Sequence, residues 1–244
     1  MVTMRVRETF CGPPNYGNGG YVAGRLAQFV PPNPERPCVR VRLHRPIPLG
    51  RDLKVRVTPD AVELQDHEQV VASARSERMD WSPPACVSVV AARAAAERTP
   101  FTLENHIVPE CFVCGPSRAP DDGLRLGAGP VHGSGDPSLY AVPWRPHHRL
   151  STGDQSVAEE FVWSALDCPT GYAVGRSSQL LGEVTGYIYD VPEVGGDYVI
   201  TARMLSATGR KAVCVGGLYS ERGELLATVK TTWIAVDTFS EASE

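Results

Sequence analysis

The chain has 244 residues, a formal net charge of −4, and 42% hydrophobic against 21% charged residues. That length fits one large domain or two small ones with a real core, and the acidic balance makes no electrostatic case for nucleic acid, which needs a clustered basic surface. No apolar run approaches the ~20 residues of a membrane-spanning helix, and MVTMRVRETF lacks the apolar stretch of a secretory signal. The expectation is a cytoplasmic protein with neither nucleic acid nor membrane as a partner.

Residues 18–30, NGGYVAGRLAQFV, place apolar side chains at helical spacing after a glycine-rich start. Residues 39–77 alternate apolar and polar positions, broken by Pro-Leu-Gly, Pro-Asp and Asp-His-Glu, which predicts several antiparallel strands. Val39, Val41 and Leu43 would share one face, as would Leu53, Val55 and Val57. SPPACVSVVAARAAAERTP (82–100) is Ala-rich between prolines and predicts a linker helix.

The second half runs through the same order. Residues 154–168, DQSVAEEFVWSALDC, again carry apolar residues at helical spacing, with Ser151, Thr152 and Asp154 as candidate N-caps. Asp154, Glu159 and Glu160 sit toward the end of that helix where the dipole favours negative charge. Strands are expected at about 184–191, 198–208, 211–220 and 225–235. Pro48-Leu-Gly50-Arg-Asp52 parallels Pro192-Glu-Val-Gly195-Gly-Asp197, and VVASA (70–74) parallels LLATV (225–229). A helix followed by a long antiparallel meander thus occurs twice. One helix per copy cannot cover both faces of a sheet, so each helix should be wrapped by a curved sheet, and two such units can pair edge to edge. This is an α+β architecture: residues 1–80 form the first unit, 81–110 a linker with a helix, 111–238 the second unit and 239–244 a disordered tail.

The seven cysteines are scattered at positions 11, 38, 86, 111, 114, 168 and 214, as expected of free thiols rather than a disulfide framework. Cys111 and Cys114 have a ligand-like spacing, but a structural zinc needs four ligands, and His106 and His132 complete no common pattern. The expectation is no metal, with the two thiols flanking a turn into GLRL. No Gly-x-Ser-x-Gly elbow appears, and VCVGGLYSERG lacks both the phosphate-loop lysine and the dinucleotide spacing, so no cofactor is expected. His147 and His148 read as loop histidines, while Phe161, Trp163 and Tyr172 pack the core or line a tunnel.

CFVCGPSRAPDDGLRL (111–126) resembles the Cys-Phe-x-Cys-Gly…Gly-Leu-x-Leu segment of many hotdog-fold acyl-CoA thioesterases. ATGRKAVCVGGLYSERGELLATVKTTWIAV (207–236) is similar to the closing strands of that superfamily. The second half matches along most of its length, and the first mainly through GNGGYVAGRLA and its strand pattern. The resemblance implies a double hotdog, a paired (homodimeric) assembly, and hydrolysis of an acyl-CoA or acyl-carrier thioester, with coenzyme A entering only as part of the substrate. In the resembling enzymes one unit supplies His-Gly-Gly at a helix start and the other an acidic residue two turns along its own helix. Asn18-Gly19-Gly20 matches the first part, with Asn in place of His. Eight residues past the first glycine position lies Ala27 in the first copy and Asp167 in the second.

The implied composite site has Asp167 as general base or nucleophile, the Gly19 and Gly20 amides as oxyanion donors and Asn18 as an orienting group. Unpaired N–H groups at a helix start can stabilise an anionic tetrahedral species, and a carboxylate can activate water or attack the carbonyl. Glu160 is a second-choice acid that could enter the opposite pocket beside Gln28, and Arg210 and Lys211 are candidates for the phosphates of coenzyme A. The alternatives are a non-catalytic acyl or acyl-CoA binder, and an acyl dehydratase or hydratase. The latter wants a His on a central helix, and neither helix has one.

Overall fold

The structure, a computed structural model, describes residues 2–176 and 178–237. The tail expected at 239–244 lies outside the described residues. The first half contributes β1 (Val2–Arg5), α1 (Gly19–Ala27), β2 (Cys38–Leu43), β3 (Asp52–Val57), β4 (Val62–Asp66) and β5 (Gln69–Glu77). After α2 (Val89–Ala96), the second half contributes β6 (Gly129–Pro130), β7 (Leu139–Trp144), α3 (Glu159–Ala165), α4 (Cys168–Tyr172), β8 (Gln179–Ile188), β9 (Tyr198–Thr208), β10 (Lys211–Ser220) and β11 (Leu225–Ala235).

The strands form a single sheet in the order β1-β3-β4-β5-β2-β8-β11-β10-β9-β7-β6. Read outward from its middle, β2-β5-β4-β3 on one side mirrors β8-β11-β10-β9 on the other. The two halves meet where β2 pairs antiparallel with β8, with Val41 opposite Val184. Gly50 and Gly195, both at positive φ, turn the chain into β3 and β9, so the two Pro…Gly…Asp stretches occupy matching corners. The sheet is the α+β layer expected from the doubled pattern.

The two central helices α1 and α3 pack on each other, α1 also lies on β2, β5 and β8, and all share one core with the sheet. Their close approach has a local cause. Gly20 and Gly24 lie four residues apart on one face of α1, where a Cβ on Gly24 would sit 2.6 Å from Glu160 Cα and 2.9 Å from Trp163 Cβ. α2 instead packs on β6, β7 and β9 through Ala92, Ala95, Leu139, Ala141 and Val199. Val142 and Trp144, which alternate with those β7 residues, face the main core, so α2 covers the other side of the sheet.

Two local expectations differ from the structure. The second helix starts at Glu159 behind an uncapped Ala158, not at Ser151, Thr152 or Asp154. Those polar residues close a loop instead: Thr152 Oγ1 donates to Asp154 Oδ1 at 2.6 Å, Ser151 pairs with Val157, and Gly153 and Gln155 both take positive φ. Side chains that cap helices also stabilise turns, and here the turn wins. β8 spans Gln179–Ile188 rather than 184–191, because Gly182 and Gly186, which resemble breaks in the sequence, lie inside the strand.

Of the two loop histidines, His147 has both ring nitrogens buried with no partner among the described residues. Burial lowers its pKa, opposed by Asp121 and Asp122 and assisted by His148 and Arg149. A folded-state pKa below the unfolded one means the unfolded chain binds the extra proton first as pH falls. The stability that neutral His147 contributes is therefore complete above its unfolded pKa of about 6.5 and is lost as pH falls through the lower folded value. Urea midpoints of wild type should fall more steeply than those of His147→Phe below about pH 6.5; parallel curves would contradict this.

Candidate active site

Asn18 is the N-cap of α1, and its Oδ1 accepts the Tyr21 N–H at 2.9 Å. This fixes the amide, leaving Nδ2 to point across the helix pair, where it donates to Asp167 Oδ2 at 2.8 Å. The same carboxylate oxygen accepts the Gly20 N–H at 3.1 Å. Asn18 and Asp167 are only 2% and 3% exposed, so these contacts are made away from bulk water. The start of the first unit's helix thus grips an acid from the second unit.

The two helices correspond residue by residue. Asn18 and Ala158 are both extended N-caps, which makes Gly19 equivalent to Glu159 and Ala27 equivalent to Asp167. Asp167 sits in the short break between α3 and α4, and Pro169 at the start of α4 helps set that break. Its backbone carbonyl accepts the Thr170 hydroxyl at 2.7 Å. Thr170 in turn accepts the Trp233 indole N–H at 2.9 Å, tying the acid's backbone to the last strand.

Asp167 Oδ1 is buried and has no partner among the described residues. Desolvation pushes the carboxyl up to about 7, with the nearby Cys111 adding to the shift while the Gly20 and Asn18 hydrogen bonds oppose it. A carboxylate with one oxygen clamped and the other bare is equipped to accept a proton.

Asp167, Asn18 and Gly19 border a cavity of about 650 Å³. Its wall is largely apolar, including Leu43, Ile47, Phe101, Val108 and Leu181, while Arg45 and Arg176 supply cations. The volume is within the range of about 300–1,000 Å³ common for small-molecule sites.

The other expected site residues fall elsewhere. Gly20 does not border the cavity, and its N–H is already given to Asp167, so it holds the acid and is not a donor to an oxyanion. A Cβ there would meet Asp167 Cβ at 2.5 Å, which explains the glycine by helix contact rather than substrate approach. The Gly19 N–H, first of the helix, makes no hydrogen bond among the described residues, and Gly19 does border the cavity. Glu160 lies outside the cavity and accepts from Gln28 Nε2 at 2.9 Å. Arg210 and Lys211 are exposed and also outside the cavity wall. Arg210 Nε donates to the Ala235 carbonyl at 2.9 Å.

Arg45 and Arg176 border the cavity without lying in any motif that would mark them in the sequence. Cys168 likewise has no ligand spacing in the sequence, yet its sulfur lies 3.8 Å from that of Cys111. The CFVC stretch is anchored to the site by an aromatic cluster. Phe112 meets Phe10 edge-on at 5.0 Å between ring centroids, and Phe10 stacks on Tyr21 of α1 at 4.0 Å.

Comparison with solved structures places this arrangement. The tesB protein of Mycobacterium avium subsp. paratuberculosis superposes with a TM-score of 0.60 at 14% identity, over 96% of this chain and 92% of that one. A candidate thioesterase of Novosphingobium aromaticivorans gives 0.60 at 16% identity, over 96% and 94%. A hot dog fold protein of unknown function from Alicyclobacillus acidocaldarius gives 0.51 at 14%, over 96% and 92%. No protein-family model matches the chain, and no curated protein matches it in sequence. At these identities the likeness is one of fold, and that fold is a double hotdog.

Proposed function

We propose that the chain hydrolyses acyl-CoA thioesters at the site between its two units. The observation that carries the reading is an acid of the second unit, Asp167, clamped through one oxygen by Asn18 and Gly20 of the first and bare at the other. The acyl chain would occupy the apolar cavity, with Arg45 or Arg176 near the phosphates of coenzyme A.

In the reaction, water beside Asp167 Oδ1 attacks the thioester carbonyl while the carboxylate takes its proton. The carbonyl oxygen becomes an oxyanion, and the Gly19 N–H at the positive end of α1 stabilises it. Collapse of the tetrahedral species breaks the carbon–sulfur bond. The thiol leaves as its sulfur takes up the proton that Asp167 received, which restores the carboxylate. Asn18 holds the acid in place and is a positioning residue. Direct attack by Asp167 would need the same contacts, but the bare oxygen is already suited to binding water, which favours the general base.

A second reading, a non-catalytic acyl-CoA binder, is favoured by the substitution of Asn for His at position 18 and by the use of the Gly20 N–H within the protein. Thiol release from acetyl- to palmitoyl-CoA and from phenylacetyl-CoA distinguishes the two. Turnover on part of the panel is expected. No release from any member, with an acyl-CoA still raising the melting temperature, would favour the binder.

A further inference from the structure

We infer that Cys111, Cys114 and Cys168 hold a zinc ion at the wall of the cavity. Their three sulfurs lie within 4.8 Å of one another. The Cys111–Cys168 separation is 3.8 Å. Two thiolates on one tetrahedral zinc, with Zn–S of about 2.3 Å, are separated by about 3.8 Å, so this pair already has the spacing of ligands on a shared ion. Among the described residues, no other group of three such side chains converges in this way.

The backbone from Cys111 to Cys114 makes a tight turn that brings the two sulfurs together. The turn closes with the Gly115 N–H donating to the Cys111 carbonyl at 2.9 Å. A Cβ at position 115 would lie 2.4 Å from that carbonyl oxygen, so the tight turn needs a glycine directly after the second cysteine. Three soft thiolates favour zinc over magnesium or calcium.

All three cysteines border the same cavity as Asp167, which leaves the fourth coordination position open to that side. The expectation of no metal rested on counting ligands near Cys111 and Cys114. The third ligand, Cys168, is the first residue of α4, which only the fold brings into place.

The test is metal analysis of the full-length chain purified without oxygen from zinc-supplemented cells, together with the absorption spectrum of the cobalt-exchanged protein. About one zinc per chain and thiolate-to-cobalt charge-transfer bands are expected. Cys114→Ser should lower the metal content at least about tenfold, while Cys38→Ser, at the start of β2, should keep it. Cys114 is the least buried of the three, and near-UV circular dichroism checks that its variant folds. If Cys114→Ser does not fold, cobalt spectra and free-thiol counts of wild type decide alone. Wild type without zinc and without cobalt bands would overturn the proposal, as would a Cys111–Cys168 disulfide found by peptide mapping. The result is independent of hydrolysis, because Asp167→Asn should retain the zinc whatever its activity.

Discussion

Asp167→Asn should lower kcat/KM for the best acyl-CoA by about 10²–10⁴-fold, the usual contribution of a general base, and leave binding of a thioether analogue nearly unchanged. The reasoning is geometric. The Asn side-chain oxygen can still accept the Asn18 and Gly20 hydrogen bonds made at 2.8 and 3.1 Å, so the clamp survives. The amide nitrogen then replaces the bare oxygen Oδ1, and it cannot accept a proton. The variant also removes a charge from a site only 3% exposed, so its melting temperature should not fall. Steady-state thiol release and calorimetric titration with the thioether read the two effects separately. Equal losses of binding and turnover would mean that Asp167 contacts substrate without activating water.

The largest effect on stability should come from the helix contact. Gly24→Ala places a methyl group 2.6 Å from Glu160 Cα, against backbone rather than a mobile side-chain tip. Overpacking of this kind costs about 1–3 kcal/mol, which for a chain of this size lowers the melting temperature by roughly 3–10 °C. Gly20→Ala should cost at least as much, since its Cβ would meet both Asp167 Cβ at 2.5 Å and the Trp163 carbonyl at 2.8 Å. The two differ in function: Gly24→Ala should keep most activity per folded molecule, and Gly20→Ala should lose it by displacing the acid. Differential scanning calorimetry paired with thiol release checks both. Unchanged melting in both variants would show that the helices do not meet at these glycines.

Much of the fold was legible because its signals are local and occur twice. The alternation around Val41 and Leu53 predicts strands, and both side chains are buried in the sheet. The left-handed corners at Gly50 and Gly195 mark matching turns in the two copies. The resemblance, by a count of eight residues past its first glycine position, pairs Ala27 with Asp167, and the structure brings Asp167 to the cap of the opposite helix. What was not legible depends on the partner of a group rather than on the group itself. Glu160 reads as a free acid until the fold puts Gln28 beside it. The Gly20 N–H reads as unpaired until Asp167 takes it. The polar run from Ser151 to Asp154 could cap a helix or close a loop, and the left-handed Gly153 and Gln155 decide for the loop. The cysteine cluster is the extreme case, since Cys168 lies 54 positions after Cys114 and no spacing rule spans that distance.

The most direct test of the account is the structure of the chain bound to a non-hydrolysable carba analogue of an accepted acyl-CoA, in which a methylene replaces the thioester sulfur and the carbonyl is kept. The account predicts the acyl tail in the cavity, the carbonyl oxygen within about 3 Å of the Gly19 N–H, and a water between the reacting carbon and Asp167 Oδ1. An analogue bound with its carbonyl away from both groups would contradict it.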